Sequence, residues 1–477
     1  MDAMAEVPTA EAFLDMGFNF LVGAALQRRV WMGQDPYRLY PNTYVTLVGP
    51  PSCGKGLVIR PIFEILRHHK IEYKGPPPSE LLEKVNGQIT SMEQLEELAI
   101  AKAQQEGDPE LQALLEEEVG KKRKKKEPLL VFPMGADATT FESLTQTMAK
   151  ATRRLPYKRL NPKTGGMETG VYTHCSLCFC LGELSSLIKV RTENIVNFFT
   201  AIYDCVSPYS YKTKHQGEDT IYWPCMNMIA GTTMSYMQDI FNDRILNDGY
   251  ASRSWFVWAS KPRFMKWQFS INPDKMKVLI DRVGKLAKVY GEVKFTPEAE
   301  AYLKEFWEVK MMDGSGRRNK SPKLDYYYGR KNIHVKKLAM VKHFAEVEID
   351  EDGQCPMEIG LDVAKDTLET LDRIEGHMHE ALQFGSANPL HKPMKAIHRY
   401  VQQYPGGVHK RDLFVEFWQD LPAPQDDSLD RILEYMVADG IIVTEIPEAS
   451  KAKRGMLIKP YDKLHETLEA KEITTIL

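Results

Sequence analysis

Residues 44–56 read YVTLVGPPSCGKG. A short β-rich run, Tyr44 to Val48, leads into Gly49-Pro50-Pro51-Ser52-Cys53-Gly54-Lys55, which fits G-x-x-x-x-G-K, and an apolar stretch from Leu57 to His69 follows. The pattern predicts strand, loop and helix in succession. Glycines let such a loop curl so that successive backbone N–H groups face a chain of phosphates. The helix start adds positive potential, and the lysine neutralises the β and γ oxygens. The competing reading is a chance glycine-rich turn, and the flanking strand and helix favour the phosphate site. Gly56 follows Lys55, at the position where Ser or Thr normally ligates Mg²⁺.

Outward from this loop, Leu129 to Met134, Ser176 to Leu181, Met226 to Ala230 and Trp255 to Ala259 read as further buried strands. Helical stretches alternate with them, which predicts an α/β fold with a mostly parallel sheet. Residues 9–31 read as an amphipathic helix, and Asp137 or Thr139 is placed to cap a helix beginning near residue 141. Residues 79–127 are charged and helix-prone, and read as an inserted helical hairpin ending in a Lys/Arg run at 121–126. Such a run is usually a solvated face, and a nucleic-acid or localisation role is the secondary reading. Residues from about 270 to 385 are mainly helical. Beyond Asn388, three helices and then the short strands IIVTEI and GMLIKP follow the order of a winged helix.

The 477 residues carry 62 Lys+Arg against 65 Asp+Glu, a net charge of −3. A uniformly basic nucleic-acid coat is excluded, whereas a locally basic channel is compatible with that balance. Hydrophobic residues make up 43% of the chain and charged residues 27%, as in a globular protein with a sizeable core. The opening MDAMAEVPTAEAF lacks the basic start of a signal peptide, and the apolar stretch 13–30 is interrupted by Asp15, Asn19, Gln27, Arg28 and Arg29. The expectation is a soluble, intracellular protein without a membrane partner. There are seven cysteines, three of them in CSLCFC at Cys175, Cys178 and Cys180. A zinc site needs four ligands; no second Cys-x-x-Cys exists, and only Cys205, Cys225, His174 and His215 lie near. The other reading is a buried strand using cysteine as a small hydrophobe.

The strand SLCFCL ends in Gly182-Glu183. A nucleotide hydrolase usually ends this strand with Asp-Glu, the Asp serving the magnesium shell and the Glu polarising the attacking water. Glu183 is present, and Gly182 stands where the Asp is expected. Glu183 also suits a helix start, where the dipole favours a carboxylate. Residues 210–223, SYKTKHQGEDTIYW, read as a β-hairpin with Lys212, Lys214 and His215 near its tip and aromatic residues at its base. Basic residues beside aromatics can grip a nucleic-acid backbone, although ordinary surface lysines give the same pattern. Gly231-Thr232-Thr233 places hydroxyls beside the expected γ-phosphate, and Asn227 within the strand is a weaker polar candidate. Arg253 lies in a polar turn just before a strand, where an arginine can reach a neighbouring subunit's γ-phosphate or simply form a surface ion pair.

The succession NTYVTLVGPPSCGKG, GADATTFESL, LCFCLGELSSLI, the Lys214 hairpin, MNMIAGTT and DGYASRSWFVWA resembles the phage and prophage replication-helicase-like P-loop ATPases, relatives of the AAA+ helicases. YYYGRKNIHVKKLAMVKHFA is similar to that family's helical lid, with Arg330 at a sensor-2-like position. The resemblance spans roughly residues 9–385, and the C-terminal region resembles the winged helix of minichromosome-maintenance helicases. It implies an AAA+-like αβα core over 1–265, a helical lid over 266–387 and a winged helix over 388–477. It further implies ATP held by residues 49–57, Thr232 and Arg330, with Mg²⁺. Glu183, Lys55 and Arg253 would serve hydrolysis, in a homo-oligomeric ring, a hexamer, that acts on single- or double-stranded DNA in the cytoplasm of a bacterial or phage-infected cell. Gly56 and Gly182 depart from the family pattern and keep open a second reading, a weakly hydrolysing replication initiator or loader. A DNA-packaging or defence NTPase is a third, without a nuclease-like carboxylate cluster behind it.

Overall fold

In the computed structural model, the described residues are 2–71, 129–160, 165–188, 193–213, 217–240, 249–383, 390–445 and 456–460. The expected insertion at 79–127, with its 121–126 cationic run, lies outside them. The chain forms two compact units, Met1–Ser386 and Ala387–Leu477, with mixed α/β structure.

The first unit is built on α1 (Glu11–Leu26), β1 (Tyr44–Val48), α2 (Lys55–His68), α3 (Phe141–Lys150), β2 (Thr152–Leu160), β3 (Met167–Leu181), α4 (Glu193–Tyr203), β4 (Tyr209–Thr213), β5 (Gly217–Ile221), β6 (Pro224–Thr232), α5 (Met234–Ile240) and β7 (Ser254–Trp258). Among the helices that follow are α6 (Pro273–Leu286), α7 (Pro297–Glu305), α8 (Lys331–Glu346) and α9 (Leu361–Gln383). The starts of α6 and α7 are chemically marked. Asn272 and Thr296 accept hydrogen bonds from Lys275 N at 3.0 Å and Ala299 N at 3.4 Å, with Pro273 and Pro297 in the first turns.

The central sheet runs β7-β1-β6-β3-β2. The first four strands are parallel and β2 is antiparallel to β3. The parallel strands are continuously apolar because helices cover both faces: β1 and β6 are buried at every position. Ser176 to Leu181 forms the inner end of β3, where the cysteines pack as small hydrophobes and burial pushes the Cys175 thiol up to about 12. α9 packs on the edge strand β7 and on α8, so the helical region shares the core of the sheet.

Several expectations are corrected. The helix at 9–31 is shorter and is not amphipathic. α1 contacts α2, α6, α8 and the sheet, so twelve of its sixteen residues are buried. Arg28 and Arg29, just beyond it, are also buried, held by backbone carbonyls: Arg28 donates to Cys205 O and Pro224 O, both at 2.7 Å. Of Leu129 to Met134, only Leu129–Leu130 is a strand, paired with Lys70–Ile71, and Met134 makes a single parallel bridge to Cys178. The cap of α3 is Thr140, whose Oγ1 accepts from Ser143 N at 3.3 Å; neither Asp137 nor Thr139 fills that role. TRRLPYKRL, Thr152–Leu160, forms β2 and pairs with an outward extension of β3 that begins at Met167. Its alternating burial marks a ribbon with one face open. Gly231 and Thr232 belong to β6 itself and do not follow it.

The second unit has its own core, from Ile397 to Ile458. Helices α10 (His391–Gln402), α11 (Lys410–Phe417) and α12 (Gln425–Ala438) pack with the strands β8 (Val408–His409), β9 (Ile442–Glu445) and β10 (Leu457–Pro460), ordered β8-β10-β9 and antiparallel. Among the described residues no helix is long and apolar enough to cross a membrane.

Candidate functional site

The loop between β1 and α2 is shaped by backbone geometry. Ser52 has φ +68° and Gly54 has φ +88°, both in the left-handed region. A Cβ at Gly54 would also lie 2.7 Å from Thr9, whose Oγ1 donates to Gly54 O at 3.0 Å. The chain thus curls sharply here and is tied to the segment before α1. Pro51, Ser52 and Gly56 are exposed, Pro50, Gly54 and Leu57 half-buried, and Cys53 is buried beneath them. Gly49 N donates to Thr232 O at 3.3 Å, which fixes the loop to the end of β6.

Lys55 opens α2 and is almost fully buried, with its Nζ donating to Gly49 O at 2.7 Å and Pro50 O at 3.1 Å. A buried ammonium satisfied by two loop carbonyls and set at a helix N-terminus is arranged to exchange them for a stronger anionic acceptor.

The ends of three parallel strands converge on this lysine. A Cβ at Gly231 would lie 2.5 Å from Gly182 O and 3.5 Å from Lys55 Cβ. β1, β6 and β3 therefore deliver the loop, Thr232 and Glu183 to one edge of the sheet. Thr232 is buried, and its Oγ1 donates to Thr233 O at 3.4 Å. Glu183 is exposed, and its backbone carbonyl accepts from Ser186 N and Oγ. Asn227 is committed elsewhere: its Oδ1 accepts from Thr43 N at 2.9 Å.

Gly56 and Gly182 sit in open space, where a Cβ would meet nothing within 4 Å, and neither has a left-handed φ. Neither position offers a side-chain oxygen to a metal. Among the described residues no group of three or more His, Cys, Asp or Glu is arranged to hold one. The donor set near the loop fits a magnesium ion only if phosphates and water supply most of its ligands, with Glu183 as the protein carboxylate. A groove of about 550 Å³ runs beside α2 from Gly56 and Leu57, past Arg60, to Phe269, Ile271 and Met276. A cavity of similar size, about 620 Å³ and lined by Arg29, His69 and Lys70, shares no residue with the loop.

Arg253 and Arg330 are brought together, but not to Lys55. Arg253 Nη2 lies 2.9 Å from Asp204 Oδ2, and Arg330 Nη2 lies 3.3 Å from the same carboxylate. Burial lowers the Arg330 pKa; Asp204 opposes the shift and Arg253 adds to it. Arg253 precedes Ser254, which pairs with Tyr44, whereas the loop follows Val48, which pairs with Trp258. Four residue steps at ~3.3 Å each separate the two levels. Arg253, Arg330 and Asp204 thus occupy the sheet edge opposite the loop, so the expected approach of Arg330 to a nucleotide on its own loop is not what the fold provides. Asp204 escaped sequence reasoning because its partners are 49 and 126 residues away and no local pattern marks it.

The hairpin exists as β4 and β5, in register Tyr209↔Ile221 to Thr213↔Gly217. Lys212 lies in β4, while Lys214 and His215 fall outside the described residues. Its base is aromatic, with Tyr211 edge-on to Phe141 at 4.7 Å and Tyr209 edge-on to Phe198 at 5.2 Å. β5 runs into β6 at Pro224, so the hairpin emerges on the arginine edge.

No protein-family model matches the chain, and no curated protein matches it.

Proposed function

We propose that the chain is a ring-forming, ATP-dependent DNA helicase acting in the replication of a phage or mobile element, with an AAA+-like core, a helical lid and a C-terminal winged helix. The observation that carries this reading is the Lys55 ammonium, buried inside a left-handed loop at the start of α2, beside the strand end that presents Glu183. Phosphates entering the loop would take Lys55 from the Gly49 and Pro50 carbonyls and meet the N–H groups of the first turn. The groove alongside Leu57 and Phe269 would receive the nucleoside. Glu183 would accept a proton from the attacking water as the new O–P bond forms and the bond to the bridging oxygen of ADP breaks. Bound Mg²⁺ would neutralise charge on the β and γ oxygens.

The second sheet edge gives the reading its assembly. An arginine that cannot reach the loop of its own subunit suits a ring in which each Arg253 edge abuts the next subunit's loop. A hexamer is the arrangement the family resemblance implies. The hairpin, on the same edge as Arg253, would face the central pore and contact DNA through Lys212, Lys214 and His215.

A second reading, a nucleotide-binding initiator or loader with slow turnover, is favoured by Gly56 and Gly182. One experiment separates the two: ATP hydrolysis measured with and without single-stranded DNA. DNA-stimulated turnover supports the helicase; tight ATP binding without turnover selects the loader; no ATP binding removes both.

A further inference from the structure

The second unit leaves open a groove lined by aromatic and acidic side chains. On α11, Leu413 and Phe417 point into the core, but Val415 is 70% exposed and Trp418, just after the helix, is 48% exposed. Phe414 lies edge-on to Trp418 with ring centroids 4.8 Å apart. With Val415, Glu416, Gln419 and Asp420 these rings line a groove of about 470 Å³, and every charged residue in that lining is a carboxylate.

The neighbouring helix extends the same sign of charge. α12 is joined to α11 by the Lys410–Asp430 ion pair. Its solvent face carries Asp426, Asp427, Asp430 and Glu434 against the single cation Arg431. In a helix-turn-helix arrangement the second helix of the pair enters the major groove, and such a helix needs Lys and Arg against the phosphates. Here that helix would meet the phosphates with carboxylates.

We propose that this face docks a Lys/Arg-rich segment of a partner protein. Phe414 and Trp418 receive an apolar anchor or the aliphatic stem of a cation, whose charged head gains a cation–π contact. Glu416 and Asp420 pair with the flanking cations. The exposed tryptophan is the residue type that dominates such contacts. The proposal concerns the second unit alone and does not depend on the nucleotide reading.

The test uses the full chain and a dye-labelled peptide, KRKLKRKLK, followed by fluorescence anisotropy, with the all-glutamate analogue and duplex DNA as comparisons. The basic peptide should bind, with affinity falling as salt rises, and the acidic one should not. Trp418→Ala should weaken peptide binding about tenfold or more. Glu416→Lys with Asp420→Lys should do the same by charge, without removing the ring. Duplex affinity should be unchanged by Trp418→Ala. Absence of peptide binding, or wild-type affinity in either variant, overturns the proposal. So does a Trp418→Ala variant that loses duplex affinity in step with peptide affinity, because the face would then belong to nucleic acid.

Discussion

Arg253 and Arg330 share one carboxylate: both guanidinium groups reach Asp204, the residue after α4, and Arg253 is further held by Gly249 O at 2.9 Å. The cluster lies at the end of the sheet opposite Lys55, so in the proposed ring an arginine serving hydrolysis would leave Asp204 for a phosphate on another copy of the chain.

Arg253→Ala should therefore leave ATP binding near wild type and abolish turnover, by about 10³- to 10⁵-fold for an arginine acting in the transition state. Mixing it with Glu183→Gln subunits should restore part of the activity. At some interfaces an intact Glu183 then faces an intact Arg253. Steady-state ATPase across mixing ratios reads this directly, and a strictly inactive mixture rules out action between subunits.

Lys55→Ala should remove ATP binding while changing unfolding stability by no more than about 1 kcal/mol. Its ammonium bonds only two loop carbonyls, which can turn to water. Binding of a fluorescent ATP analogue, alongside a thermal melt, checks both halves. A folded variant with full ATP affinity would remove the phosphate assignment.

Gly56→Thr with Gly182→Asp should lower the Mg²⁺ concentration needed for half-maximal turnover. Both positions leave open space around a Cβ and neither has a left-handed φ, so neither substitution is opposed at its first side-chain atom. A magnesium titration of the ATPase is the measurement. An unchanged midpoint in a folded, active double variant would mean that the metal is held elsewhere.

The first unit should lose stability as pH falls below about 6.5. His174 and His334 are fully buried, and desolvation is the largest cause holding both neutral, His334 at about 3 and His174 well below its ordinary value. The unfolded chain protonates these rings near 6.5, so below that pH it binds more protons than the folded state. Their stabilisation is complete above 6.5 and declines toward the folded values, at up to about 1.4 kcal/mol per pH unit for each ring. Urea unfolding at pH 7.5 and 5.5 should show the loss, and His334→Gln should reduce it. An unaltered pH slope in that variant would mean that His334 is not the acid-sensitive group.

The parts of the molecule legible in the sequence are those set by neighbours in the chain. Strand, loop and helix around Gly49–Lys55, the buried SLCFCL segment, the hairpin from Tyr209 and the three helices after Asn388 each follow from local spacing and turn chemistry. What was hidden depends on distant contacts. α1 read as one-sided because its sequence cannot announce that α2, α6 and α8 surround it. β2 carries charged residues and Pro156, and becomes a strand only because the extended β3 offers an edge. The family resemblance puts Arg330 at a sensor-2-like position; that the start of α8 takes it to Asp204 and away from Lys55 is a property of the assembled sheet.

Gly231 has a genetic consequence. Its missing side chain is the spacer between the Gly182 carbonyl and Lys55, so a single methyl group would wedge apart the strand ends beside Lys55, at the other end of the sheet from Arg253. In the proposed ring, a Gly231→Ala subunit would still offer its arginine to a neighbour yet turn over nothing itself. An allele of this kind would act as a dominant poison when co-expressed with the wild-type gene, whereas an allele that unfolds the whole chain would be recessive.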